Sequence, residues 1–130
     1  MGKVKILIVE DDSIMQKLYD EGLPDAEYEK RFSENGIDAL ESYKAWAPDI
    51  VILDIGLPEM DGYSVLMNIR KEIKDKDTTI IMATGVDDKR KMNDCIMLGI
   101  SSYIVKPFRY EDINEIVMRA YKEGQFYLKI

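Results

Sequence analysis

Histidine does not occur in this chain of 130 residues. Its absence removes Ser-His-Asp and Cys-His catalysis, histidine-ligated metals, and any phosphohistidine carried by the chain itself. Cysteine is nearly absent too. Cys95 alone allows no internal disulfide and no zinc spacing, and reads as a small apolar residue on a helix. A basic surplus is also missing, with 18 Lys and Arg against 25 Asp and Glu and a formal net charge of −7. That balance argues against direct binding to nucleic acid or an anionic membrane, since both need a basic face. No apolar run approaches a membrane-spanning length. The first run is only Ile6 to Val9 with acid behind it, unlike a signal peptide. A reducing cytoplasm is the expected setting.

What remains is the composition of one soluble domain, 46% hydrophobic and 33% charged. Apolar runs of strand length alternate with stretches of helical period. Val4 to Val9 reads as a buried strand, with Ser13 placed to cap a helix bearing Ile14, Met15, Leu18 and Tyr19. Tyr28 to Ser33 is polar and suits a sheet edge. Asn35, with Asp38 three residues on, opens a helix that Pro48 ends. Ile50 to Leu53 is a second buried strand closed by Asp54, and Leu66, Ile69 and Ile73 form the stripe of the next helix. Thr79 to Ala83 precedes a polar helix from about Asp87 to Leu98, rich in charge at its start, with Gly99 as its C′ residue. Ser102 to Val105 and a helix from about Tyr110 to Glu123 complete the pattern. Five β-α units imply an α/β fold, a doubly wound five-stranded parallel sheet in a three-layer sandwich. One domain over 1–124 and a short tail over 125–130 are expected.

In such sheets ligands sit beyond the carboxyl ends of the strands. The residues closing the strands here are Asp11 and Asp12, Asp54, Thr84 and Lys106. Adjacent carboxylates repel by about 1 kcal/mol in water and about 4 kcal/mol at a partly buried site, so a cation is expected among them. Mg²⁺ suits oxygen donors, keeps several waters and is commonly shared with a phosphate; Mn²⁺ can substitute. Asp54 stands alone on the central strand and can act as a nucleophile, forming an acyl phosphate. Lys106 offers an ammonium, Thr84 a hydroxyl, and the turns at Gly56–Leu57 and Gly85 backbone N–H groups, to hold phosphoryl oxygens. Each residue alone reads as an ordinary turn, cap or surface group. Their joint order at successive strand ends points to one site.

The stretches "ILIVEDD", "DIVILDIGLPEMDGY", "ATG" and "YIVKPF" resemble the receiver domain of two-component response regulators over essentially the whole chain up to the tail. The resemblance implies a flavodoxin-like (βα)5 fold and a phosphorylation-dependent switch. Asp54 would accept a phosphoryl group from the histidine of a sensor kinase or histidine phosphotransfer protein. It further implies that Asp12, Asp54 and the backbone carbonyl of Gly56 ligate Mg²⁺, with Asp11 acting through a water. Thr84 and Lys106 would hold the phosphoryl group, Tyr103 would be the switch aromatic, and the Lys106-Pro107 bond would be cis. A downstream protein or output domain would meet the face around Tyr103, and phosphorylation could bring two copies together. Departures are Gly56 and Val86, neither of which offers a side chain to orient an attacking water, and Arg109 at the start of the last helix.

Two other classes compete. A Mg²⁺-dependent aspartyl-phosphate hydrolase would carry a second Asp two residues after the nucleophile, where this chain has Gly56. A receiver-like module that binds partners without phosphorylation would lack one of the acids, the Thr or the Lys, and all are present.

Overall fold

Strands buried on both faces need unbroken apolar runs, and the runs of this sequence meet that need. The computed structural model describes residues 2–85 and 89–123. Along the chain come β1 (Val4–Val9), α1 (Ser13–Gly22), β2 (Tyr28–Ser33), α2 (Gly36–Trp46), β3 (Ile50–Asp54), α3 (Gly62–Met67), β4 (Thr79–Thr84), α4 (Lys89–Leu98), β5 (Ser102–Val105) and α5 (Tyr110–Glu123). All strand pairs are parallel, in the order β2-β1-β3-β4-β5. The order reverses between β1 and β3, which opens a crevice at their carboxyl ends. The expected start of α4 at Asp87, and the 125–130 tail, fall outside the described residues.

Alternation along each strand builds two cores. Leu7, Val9, Val51, Leu53, Ile80 and Met82 face one side, with Leu40, Leu66, Ile69 and Cys95. Ile6, Ile8, Ile50, Ile52, Ile81, Ala83 and Ile104 face the other, with Tyr19, Leu23, Ile113 and Val117. Polar β2 lies at the sheet edge, as its composition predicts. Asn35 caps α2 by accepting from Asp38 N–H at 2.9 Å. Gly99 ends α4 at φ 104°, the left-handed conformation that favours glycine.

Three local expectations change. Asp12, not Ser13, caps α1, and Ser13 is the first helical residue. Ile14 points to solvent, 70% exposed. The stripe of α3 also fails at Ile73, because the helix continues as a π turn over Asn68–Glu72. Ile73 N–H donates to the carbonyl of Asn68, five residues back. Ile73, past that wider turn, is exposed, while Arg70, four residues after Leu66, is buried.

Candidate phosphoryl-acceptor site

Strand parity sets the site. Glu10 follows Ile6 and Ile8, Asp54 follows Ile50 and Ile52, and Lys106 follows Ile104, so all three continue rows that face the α1/α5 side. The ladder carries each to the sheet's end. Glu10 N–H donates to the carbonyl of Ser33 at 2.9 Å, and Lys106 N–H to that of Thr84 at 2.7 Å.

Lys106 Nζ meets Asp54 Oδ2 at 2.9 Å and Glu10 Oε1 at 3.4 Å. Both carboxylates are buried, whereas the lysine side chain keeps 23% of its surface exposed. Burial disfavours the ammonium, but Asp54 and Glu10 outweigh it and hold Lys106 above the usual lysine value. Burial, with Asp54 beside it, pushes the Glu10 carboxyl up to about 7. The Lys106-Pro107 bond is cis, as the resemblance implied.

Asp54 is held from behind. Its Oδ1 accepts from Gly56 N–H at 3.2 Å. The turn after β3 closes with Gly62 N–H on the carbonyl of Ile55, and Asp61 caps α3 through Ser64 N–H. A Cβ on Gly62 would lie 2.2 Å from the Asp54 carbonyl oxygen, so only glycine lets α3 start this close to the end of β3. Gly56 borders open space. Thr84 is buried at the end of β4, and its hydroxyl donates to the carbonyl of Gly85 at 3.0 Å. Tyr103 sits on edge strand β5 opposite Met82 and is 43% exposed.

The acidic set differs from the expected one. Among the described residues, Glu10, Asp11 and Asp54 bring carboxylate oxygens within 4.8 Å of one another. Asp12 is not in that group. Its Oδ1 accepts from Ile14 N–H at 2.8 Å and Met15 N–H at 3.4 Å, which commits the carboxylate to the α1 N-terminus. The residue missed from sequence is Glu10. Parity would have found it, since it is the last acid still on the ladder in the row of Ile6 and Ile8. Three clustered carboxylates with one ammonium form a hard-oxygen donor set of the kind Mg²⁺ takes.

The comparisons with known proteins agree with this geometry. The family model for the response regulator receiver domain matches residues 6–118. The chemotaxis protein CheY of Listeria monocytogenes is 35% identical over 120 residues, which span 92% of this chain and 99% of that protein. The chemotaxis response regulator CheY4 of Vibrio cholerae superposes with a TM-score of 0.83 at 27% identity, over 92% of this chain and 99% of that one. NtrX from Brucella abortus also gives a TM-score of 0.83 at 27% identity, over 98% of this chain but 28% of its own length. Relatives thus include both single receivers and a far longer protein. Fold, clustered acids and family match converge on one conclusion: the chain belongs to the response regulator receiver domains of two-component signalling.

Proposed function

We propose that the chain is a phosphorylation-dependent switch in which Asp54 accepts a phosphoryl group from a phosphohistidine of a sensor kinase or histidine phosphotransfer protein. The observation that carries this reading is Lys106 Nζ at 2.9 Å from Asp54, with Glu10 and Asp11 gathered beside it. A carboxylate oxygen of Asp54 forms the new bond to phosphorus. The donor's P–N bond breaks, and the imidazole leaves with the electron pair and is protonated. Glu10, Asp11, Asp54 and the Gly56 carbonyl would hold Mg²⁺ or Mn²⁺, with Glu10 replacing Asp12 in the expected set. When bound, the dication supplies positive charge that offsets carboxylate repulsion and lets an anionic phosphoryl group approach.

Lys106 and Thr84 then act on the product. The Lys106 ammonium donates to a phosphoryl oxygen, and the Thr84 hydroxyl turns from the Gly85 carbonyl toward the new acceptor. Phosphorylation adds about −1.5 to −2 charges and three acceptor oxygens, enough to draw both. The space left by Thr84 admits the ring of Tyr103, an exposed aromatic with one polar tip. Met97, Tyr103 and Val105 are exposed apolar residues of α4 and β5, and they suit a face for a downstream protein, an output domain or a second copy. Gly56 gives no acid to hydrolyse the adduct, which favours a switch over a hydrolase.

Acetyl phosphate with Mg²⁺ or Mn²⁺, followed by peptide mapping in a mass spectrometer, tests the reading. One stoichiometric adduct on Asp54, lost in Asp54→Ala, supports it. Multiple turnover without an adduct would indicate a hydrolase, and no reaction an inert module. Full labelling of Asp54→Ala would remove the assignment.

A further inference from the structure

At the end of the sheet opposite the acids, the π turn of Asn68–Glu72 carries a buried guanidinium. Arg70 is buried and donates to three carbonyls: Gly99 at 2.8 Å, Asp75 at 2.9 Å and Thr78 at 2.8 Å. Asp75 in turn accepts from the Tyr43 hydroxyl of α2 and from Thr78 N–H. One connected network therefore joins α2, the end of α3, the approach to β4 and the residue that terminates α4. Charge-assisted bonds to buried carbonyls are about twice as strong as neutral ones, and breaking one strands a buried acceptor. The body of α4 is held far less firmly. Among residues 90–98 only Met92 and Cys95 are buried, and Met97 is 82% exposed.

We propose that Arg70 is the fixed pivot of α4, tying its Gly99 end to the base of the domain and confining movement to the end that follows Thr84 and Gly85. A helix gripped at one end and loosely packed along its length responds to a push at the other end by tilting. The consequence for signalling, a tilt started from Thr84, rests on the receiver reading. The anchoring itself does not.

Residue-resolved amide hydrogen exchange on the full chain, comparing the unphosphorylated protein with Arg70→Lys, tests it. Lysine keeps the charge but cannot reach three carbonyls in a fork. The expected result is exchange about tenfold faster or more at Cys95–Gly99, with β1 and β3 unchanged and acetyl phosphate labelling of Asp54 retained. Unchanged exchange in α4 would overturn the proposal. So would acceleration spread evenly over the sheet, which would make Arg70 a general stabiliser. If Arg70→Lys does not fold, exchange of the unsubstituted chain in mild denaturant still decides. The Leu98 and Gly99 amides should open in the same cooperative unit as Ser101, whose N–H donates to the carbonyl of Ile80. Earlier, separate opening of Leu98 and Gly99 would refute the pivot. Absence of acetyl phosphate labelling in the unsubstituted chain, with the faster exchange at Cys95–Gly99 still seen in Arg70→Lys, would count against the receiver reading and leave the anchor standing.

Discussion

Replacing Lys106 with methionine removes the only ammonium in contact with Asp54 and Glu10 among the described residues, while keeping most of the packing volume. Two buried carboxylates then face each other and Asp11 with only backbone N–H groups, of Gly56 on Asp54 and Asp12 on Glu10, and no cation. A unit pair at 4 Å is worth about 4 kcal/mol at an effective dielectric of 20. Part of each gain is spent on burying the lysine, and its 23% exposure lets water screen the site. Breaking a fully buried pair costs about 3–5 kcal/mol, so discounting for solvent leaves about 2 kcal/mol here. For a domain of this size that lowers Tm by about 6–10 °C. Thermal melts in metal-free buffer at about pH 9, where the Glu10 carboxyl is ionised, give the number, and Mg²⁺ should narrow the gap by supplying the missing charge. Glu10→Gln should destabilise the parent but stabilise the Lys106→Met background, because the carboxylate it removes is then uncompensated. A Tm within about 2 °C of the parent, or a Glu10→Gln effect of the same sign in both backgrounds, would refute the electrostatic account. Acetyl phosphate labelling should survive Lys106→Met better than the partner response does. Labelling lost as fully as in Asp54→Ala would make the ammonium essential to the chemistry itself.

Gly62→Ala should lower stability by about 2–4 kcal/mol and slow labelling of Asp54, since the added Cβ meets the backbone carbonyl at 2.2 Å and cannot be relieved by a side-chain rotation. A denaturant melt matching the parent would contradict this. Asp75 gives a pH signature: burial raises its pKa, but bonds from Thr78, Tyr43 and Asp77 outweigh that and hold it near 2. A depressed carboxyl stabilises above its unfolded value near 3.9 and loses that contribution as pH falls toward 2. Asp75→Asn should therefore flatten the stability profile between about pH 4 and pH 2, and an unchanged slope would oppose the assignment. With beryllofluoride bound at Asp54, aromatic NMR should show the Tyr103 ring leaving its exposed position. An unmoved ring would mean that the signal leaves by another route.

The sequence was enough for the framework because periodicity reports burial directly. Runs such as Ile50–Leu53, short, β-branched and bounded by Pro48 and Asp54, read as strands covered on both faces, and the stripe of Ile113, Val117 and Ala120 reads as a helix lying on one. The acids, threonine and lysine were legible for the same reason: each closes a strand, and parallel strands bring their ends together. The asparagine cap at Asn35 and the glycine stop at Gly99 were equally local.

Tertiary structure decided what local pattern leaves open. Three consecutive acids, Glu10 to Asp12, look alike in sequence, and only the point where the ladder hands over to α1 separates them. Glu10 stays in the strand row and turns inward, Asp11 faces the crevice, and Asp12 is taken by the helix N-terminus. Arg70 was likewise overlooked: it lies four residues after Leu66 on the inner face of the helix, but an arginine there reads as a solvent-facing charge until its partners are known. Its three carbonyl partners come from segments as far away as Gly99. Periodicity can place a side chain on a face, but which distant backbone groups wait on that face is set only once the helices have packed.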